Sequence, residues 1–323
     1  MPRAVALLLT LVLTVVATAP QARADDFPSR PIRLIIGFPP GSAADITARL
    51  VGGAMSQTLG QQVVVEARPG AGSSLAAESV VRAPADGYTL YMGTSSNVTN
   101  AAIGSANLRF DFVKDFVPVT SLTGLPLILA VHTTLGVSNV KELIALAKSK
   151  PGELTYASVG HGTVPHLSTE LFALRTHIKL VHVPYQGSPP AVTDLLAGRV
   201  SVMLGVASTI MPHVEAGRLK GLASGSAKRP HIAPNLPTIA EAALPDFETS
   251  VWFGLMAPAG TPRPVVDKLA AAAIAALKSD EIVTKLKASG FEPLGGPPEE
   301  FAKFIARETA KWSDAAQAAE MKK

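Results

Sequence analysis

Residues 37–50, Gly-Phe-Pro-Pro-Gly-Ser-Ala-Ala-Asp-Ile-Thr-Ala-Arg-Leu, join a strand to a helix with almost no loop between them. The β-rich run 32–36 precedes them, and Pro39-Pro40-Gly41 makes the turn. Ser42 stands as an N-cap with Asp45 three residues on, close to a capping box. Ile46, Leu50 and Ala54 then recur at helical spacing, and Val51 and Met55 widen the stripe. The first backbone N–H groups of a helix have no partner inside it, and the helix dipole adds partial positive charge there. A carboxylate or phosphate fits such a place without help from Arg or Lys. The same pattern also serves an ordinary βα turn, so the stretch alone leaves both uses open.

The unit recurs along the chain. Period-two apolar runs fall at 32–37, 62–66, 88–93, 127–131, 153–157, 179–183, 200–204, 219–224 and 252–257. Helical stripes fall at 43–58, 73–82, 139–149, 164–175, 189–197, 207–216, 262–278, 280–288 and 298–317. Such alternation predicts an α/β fold with largely parallel sheets. Strand 153–157 leads into Ser158-Val-Gly-His-Gly-Thr-Val-Pro-His166, with Thr163 as N-cap and Pro165 in the first turn. Strand 179–183 leads into Pro184-Tyr-Gln-Gly-Ser188 and a helix opening at Pro189. Three glycine-turn helix starts, split between two halves of the chain, point to a ligand held between two lobes. Strand 88–93 runs into Gly93-Thr-Ser-Ser-Asn97, small polar side chains at the carboxyl end of a strand, where open α/β sheets bind ligands. Residues 104–118 read as polar, irregular surface, and 225–248 as a long surface connection.

The N-terminus sets the compartment. Arg3, the apolar run 4–19 and the small-x-small site Ala22-Arg23-Ala24 read as a secretory signal peptide cleaved after Ala24. No cysteine is present, which excludes disulfides, thiol chemistry and a lipid-modified N-terminal cysteine. Processing removes Arg3 and Arg23 and lowers the net charge of +4 by two, too little to argue for nucleic acid. Only 5% of residues are aromatic, so stacking platforms for bases are not expected. A mature chain from Asp25 to Lys323 is large for one core and suits two lobes.

Chemistry is thinly represented. Gly70-Ala-Gly72 and Gly160-His-Gly162 both fail the dinucleotide fingerprint, and neither a phosphate loop nor a Gly-x-Ser-x-Gly elbow is present. His161 and His166 are five apart, which is not the spacing of a helical zinc pair, so no metal is expected. No close carboxylate pair stands out. Asp45 and Asp194 sit in first helical turns, where capping is the expected role of both and Asp45 also braces the ligand loop. No catalytic residue and no cofactor are predicted.

Several stretches together resemble the Bug-type receptors, the extracytoplasmic solute-binding proteins of tripartite tricarboxylate transporters. They are Ser29-Arg-Pro-Ile-Arg-Leu-Ile-Ile36 with Phe38-Pro-Pro-Gly-Ser-Ala-Ala-Asp45, Arg68-Pro-Gly-Ala-Gly72, and Ala85-Asp-Gly-Tyr-Thr-Leu90 with Met92-Gly-Thr94. Further on come Gly160-His-Gly-Thr163 with His166-Leu167, Val183-Pro-Tyr185 with Gly187, Asp194-Leu-Leu-Ala-Gly198, and Trp252 with Pro258-Ala-Gly-Thr-Pro262. They are collinear over nearly the whole mature chain.

The resemblance implies a two-lobed type II periplasmic binding protein, a Venus flytrap with a doubly wound sheet in each lobe. Lobe 1 would comprise 25–124 and 246–323, and lobe 2 would comprise 125–245, with crossing strands near 124 and 246. A small carboxylate would be gripped by backbone N–H groups of Phe38, Gly41, Ser42 and Ala43 around Pro40, and of Gly160, His161, Gly162 and Thr163 beside His166. Thr94, Ser95 and Asn97, and the turn from Tyr185 to Gly187, would line the rest. The implied protein is a periplasmic, monomeric receptor that serves the membrane components of a tripartite tricarboxylate transporter. Rival readings are a receptor for a sensor kinase and an exported hydrolase acting on a carboxylate. The chain departs from the family pattern at Gly37, Ser42, Ala67 and Gln186, where proline, glycine, asparagine and lysine are common.

Overall fold

The computed structural model describes residues 27–104, 109–185 and 187–318. The expected signal peptide with its expected cleavage site, and Gln186, lie outside the described residues. The chain runs β1 (Ile32–Ile36), α1 (Ala43–Leu59), β2 (Val63–Ala67), α2 (Ser74–Val81), β3 (Thr89–Thr94), α3 (Ser95–Ala102) and β4 (Phe116–His132). It continues through α4 (Val140–Ser149), β5 (Thr155–Ser158), α5 (Val164–Thr176), β6 (Val181–Pro184), α6 (Ser188–Leu196), β7 (Val202–Val206), α7 (Ala207–Glu215) and β8 (Leu219–Ser224). It ends with α8 (Ile239–Ala242), β9 (Ser250–Pro258), α9 (Arg263–Lys278), α10 (Asp280–Ala288), β10 (Glu292–Pro293) and α11 (Pro298–Ala318).

Strand directions decide where the loops meet. β1 pairs in parallel with β2 and β3, and β3 is antiparallel to β9, which is antiparallel to the first part of β4. β1, β2 and β3 therefore run in the same direction as β4. The second part of β4 is antiparallel to β7, and β5 and β6 follow β7. That group runs against β4. The carboxyl ends of the two groups consequently point at the same junction from opposite sides. Thr94, the last residue of β3, is level through Phe253 with Thr123 of β4, whereas Val206, the last of β7, is level with Leu127. Four residues of extended strand separate those levels, about 13 Å.

β4 is the long element that belongs to both sheets. It pairs with β9 through Pro126 and with β7 and β8 from Leu127 and Ile128 onward. The return passes at residues 249–250, where the Thr249 N–H donates to the Gly225 carbonyl at 2.7 Å just before β9. Apolar side chains of α1, α9 and α10 cover one face of the first sheet. Those of α6 and α7 cover one face of the second. A third core, with α2, α3, α4, α5 and α11, runs continuously along the other face of both sheets. α11 reaches the sheet because β9 has no side chain at Gly254. A Cβ there would lie 2.0 Å from the Phe301 ring.

The fold is the α/β architecture expected, with three local corrections. Residues 104–118 are not plain surface: Phe110, Phe112 and Phe116 are buried, and β4 already begins at Phe116. The register of β4 against β9 slips by one residue after Pro118 and again after Ser121, while Gly124 and Pro126 stay in regular register. Residues 95–102 form α3 although Ser-Ser-Asn-Val-Thr-Asn is a poor helix former. Within the long connection at 225–248, α8 is a single turn fixed by the Thr238–Glu241 capping box.

Candidate functional site

At the end of β1, Gly41 adopts φ +79°, a left-handed conformation that glycine takes without Cβ strain. Asp45 holds that loop. Its carboxylate accepts the Gly41 N–H at 3.0 Å and the Arg49 Nε at 2.9 Å, while its own N–H donates to the Ser42 hydroxyl at 3.3 Å. Burial would raise the Asp45 pKa, but the Arg49 guanidinium and the Gly41 N–H outweigh it and hold the carboxyl below its usual range. Asp45 is thus ionised yet neutralised by Arg49, and it presents no net repulsion to an incoming anion. The Ser42 N–H is taken by the Pro39 carbonyl at 3.2 Å, and the Ile46 N–H by the Ser42 carbonyl. That leaves the N–H groups of Ala43 and Ala44, in the first turn of α1, without a partner among the described residues. Phe38 lies beside them, half-buried, its ring edge-on to Phe253 at 6.4 Å. Pro40 is exposed.

The second-lobe loop is built differently. Gly160 and Gly162 take positive φ, and the Gly162 N–H donates to Nδ1 of His166 at 3.1 Å. The Gly160 N–H donates to Ser158 Oγ at 3.2 Å, and the Thr163 hydroxyl donates to the Gly160 carbonyl at 2.7 Å. Thr163 is the N-cap residue but makes no side-chain cap. The N–H groups of Val164 and His166 therefore open α5 without a partner among the described residues. Gly41, Ser42, Gly160 and Gly162 use their donors inside the loops; of the expected donors Ala43 stays open, joined by Ala44, Val164 and His166 at the two helix starts.

The remaining expected residues divide. Thr94, Ser95 and Asn97 are almost completely buried. Thr94 Oγ1 accepts the Ser96 N–H at 2.9 Å, and Asn97 Oδ1 accepts the Thr94 N–H at 3.0 Å and the Tyr91 hydroxyl at 2.8 Å. Ser95 Oγ accepts the Trp252 N–H at 3.5 Å. These groups fix α3 and the end of β3. The Tyr91 hydroxyl also meets Ser73 Oγ at 2.7 Å, and a Cβ on residue 37 would strike that same oxygen at 1.8 Å. Glycine at position 37 is what lets Ser73 pack there. The Tyr185 hydroxyl donates to Asp194 at 2.7 Å, and burial followed by that carboxylate pushes its pKa up to about 12. Gly187 caps α6 with φ +107°, but Pro189 and Pro190 follow in its first turn and supply no N–H. This third helix start is a weaker anion site than the other two. Trp252 is core, enclosed by Phe301 and Phe304.

One grouping was not legible in the spacing. Tyr156 of β5 and His182 of β6 are register partners and stack at 4.8 Å, and His166 of α5 stacks on His182 at 4.0 Å. His161 meets both imidazoles edge-on, 4.9 Å from His182 and 5.4 Å from His166. Burial, then the neighbouring imidazoles, depress His166 to about 3 and His182 to about 4. The three histidines place nitrogens within 4.8 Å of one another, the spacing of a metal-ligand set. The ring geometry argues otherwise. A metal lies in the plane of each imidazole it binds, and stacked rings 19° from parallel cannot share one. Nδ1 of His166 is also occupied by the Gly162 N–H.

Comparison with known proteins supports one family. Residues 47–321 match the tripartite tricarboxylate transporter family receptor. The chain is 40% identical over 305 residues to a protein of the tcbD-tcbE intergenic region of Pseudomonas sp. (strain P51), covering 94% of this chain and 90% of that one. It is 36% identical over 316 residues to protein BugT of Bordetella pertussis, covering 97% and 96%. Among solved structures, a periplasmic transporter shares 39% identity at a TM-score of 0.80, covering 92% and 99%. Rpa4515 of R. palustris, solved with adipate, shares 37% at 0.81, covering 91% and 99%. MatC of Rhodopseudomonas palustris, solved with bound malate, shares 32% at 0.76, covering 90% and 99%.

Proposed function

Because the chain belongs to the tripartite tricarboxylate transporter receptor family, whose members are periplasmic solute-binding receptors and not enzymes, we propose that it captures a small carboxylate between its lobes and delivers it to that type of membrane transporter. In this reading the lobes are 25–124 with 246–323, and 125–245. The mature monomer starts after Ala24. The grip is formed by the loop from Phe38 to Asp45 on one side and by Gly160–Thr163 with His166 on the other.

The observation that supports it best is the opposition of two strand groups across β4. Each ends in a glycine loop, and each is followed by a helix with two open N–H donors. Neither loop carries Arg or Lys from 37 to 48 or from 158 to 166. The carboxylate is therefore held by backbone donors and helix dipoles, which supply charge-assisted hydrogen bonds without a counter-ion. Micromolar affinity needs roughly 8 kcal/mol, within reach of several such bonds in a closed cleft. The adipate and malate held by two relatives favour a dicarboxylate.

A thermal-shift screen of the exported protein against adipate, malate and other small carboxylates tests this. A ligand at a hundredfold excess over its Kd should add about 2.7 kcal/mol of stability and raise the melting temperature. No shift after unfolding, dialysis and refolding, which strips any ligand carried through purification, would oppose the reading.

A further inference from the structure

The stacked histidines lie beside the loop assigned to the ligand, and their hydrogen bonds differ in a way that matters. His166 accepts the Gly162 N–H through Nδ1, so its neutral ring carries its proton on Nε2. A second proton on that ring would set two N–H groups against each other. His182 has no such conflict. Its Nε2 lies 2.6 Å from the Ser158 hydroxyl, which can donate to the ring or turn to the Gly160 carbonyl at 3.2 Å and accept from it. His161 is exposed on the loop itself and touches both rings edge-on. His182 can therefore take a proton without disturbing the loop.

The surroundings supply little competing charge. Along β5 the column ends at the Tyr156 hydroxyl, which donates to Glu170 of α5. From α11, Glu308 and Lys311 pair with each other. Beyond Tyr185, Asp194 pairs with Arg199. Across the junction, Asp45 pairs with Arg49. α3 and β7, which also pack near α5, carry no titratable side chain.

Resting on the receptor reading above, we propose that His161, His166 and His182 form a proton-linked part of the carboxylate site: capture of the anion draws a proton onto His182, and the grip tightens as the pH falls. In the free protein burial keeps the stacked pair neutral. A carboxylate arriving at the Gly160–Thr163 loop favours the charged imidazole. By linkage the proton raises carboxylate affinity by the same factor that the carboxylate raises proton affinity. The cluster thus adds a charge to a site that otherwise has none, and adds it when ligand is present.

The test is calorimetric titration of the protein with adipate and with malate at pH about 6 and about 8, in buffers of different ionisation enthalpy and with each acid's own second ionisation subtracted. The expected result is net proton uptake on binding and affinity roughly tenfold tighter at the lower pH. Both effects should be lost in His182→Asn. Equal affinity at the two pH values with no proton uptake would overturn the inference and leave the receptor reading standing. So would wild-type uptake in His182→Asn. If no carboxylate of the thermal-shift panel binds at either pH, the receptor reading falls and the inference with it.

Discussion

Ala43→Pro is expected to weaken carboxylate binding by one to two orders of magnitude while the free protein melts as before. The reasoning starts from local geometry. Ala43 is the first residue of α1, where proline is well tolerated because that N–H has no intrahelical partner. Ser42 before it has φ −72° and ψ 164°, the extended conformation that a following proline demands. Ala43 is half-buried and its N–H is open, so the substitution removes one donor and little else. A hydrogen bond to a charged group contributes about 1.5–3 kcal/mol, which is the loss expected in a binding titration. Unchanged affinity would mean that α1 does not hold the ligand.

The second large effect is structural. Glu308 of α11 is buried, and one oxygen accepts the indole N–H of Trp252 at 3.3 Å and of Trp312 at 3.1 Å. Its other oxygen pairs with Lys311, whose ammonium also reaches the Glu248 carbonyl at 3.5 Å, beside the return crossing. Glu308→Ala strands two buried indole donors at about 1–3 kcal/mol each. A loss of about 3 kcal/mol and roughly 6–12 °C in melting temperature is expected. Glu308→Gln keeps one acceptor and should fall between. These are the chain's only two tryptophans, so emission should shift with the carboxylate's removal. A melting temperature within a degree of wild type would refute the clamp.

How far the sequence can be read follows from which forces are local. The βα turn at 37–45 was legible because its cap and its glycine lie within a few residues of each other. Asp45 braces the loop through Gly41 and Arg49, both within four residues. β4 before residue 127 was not legible, because Pro118, Gly124 and Pro126 interrupt its pattern and it is held by pairing with β9, a strand more than a hundred residues away. α3 was missed for the same kind of reason: its polar helix is fixed by Tyr91, Asn97 and burial, not by propensity. The histidine column needed the β5–β6 register, which brings Tyr156 opposite His182. No spacing within one segment encodes that. The collinear motifs identified the family and named Ala43, whose N–H the hydrogen bonding leaves open, but the open N–H groups of Ala44 and Val164 show only in the hydrogen-bond pattern of the folded chain.

The most direct test of the two-sided grip is the backbone amide spectrum during titration with adipate or malate. The amides of Ala43 and Ala44 on one side, and of Val164 and His166 on the other, should move together and saturate at the same ligand concentration. Shifts confined to one of these pairs, or to neither while binding is detected by calorimetry, would contradict a carboxylate held between the lobes.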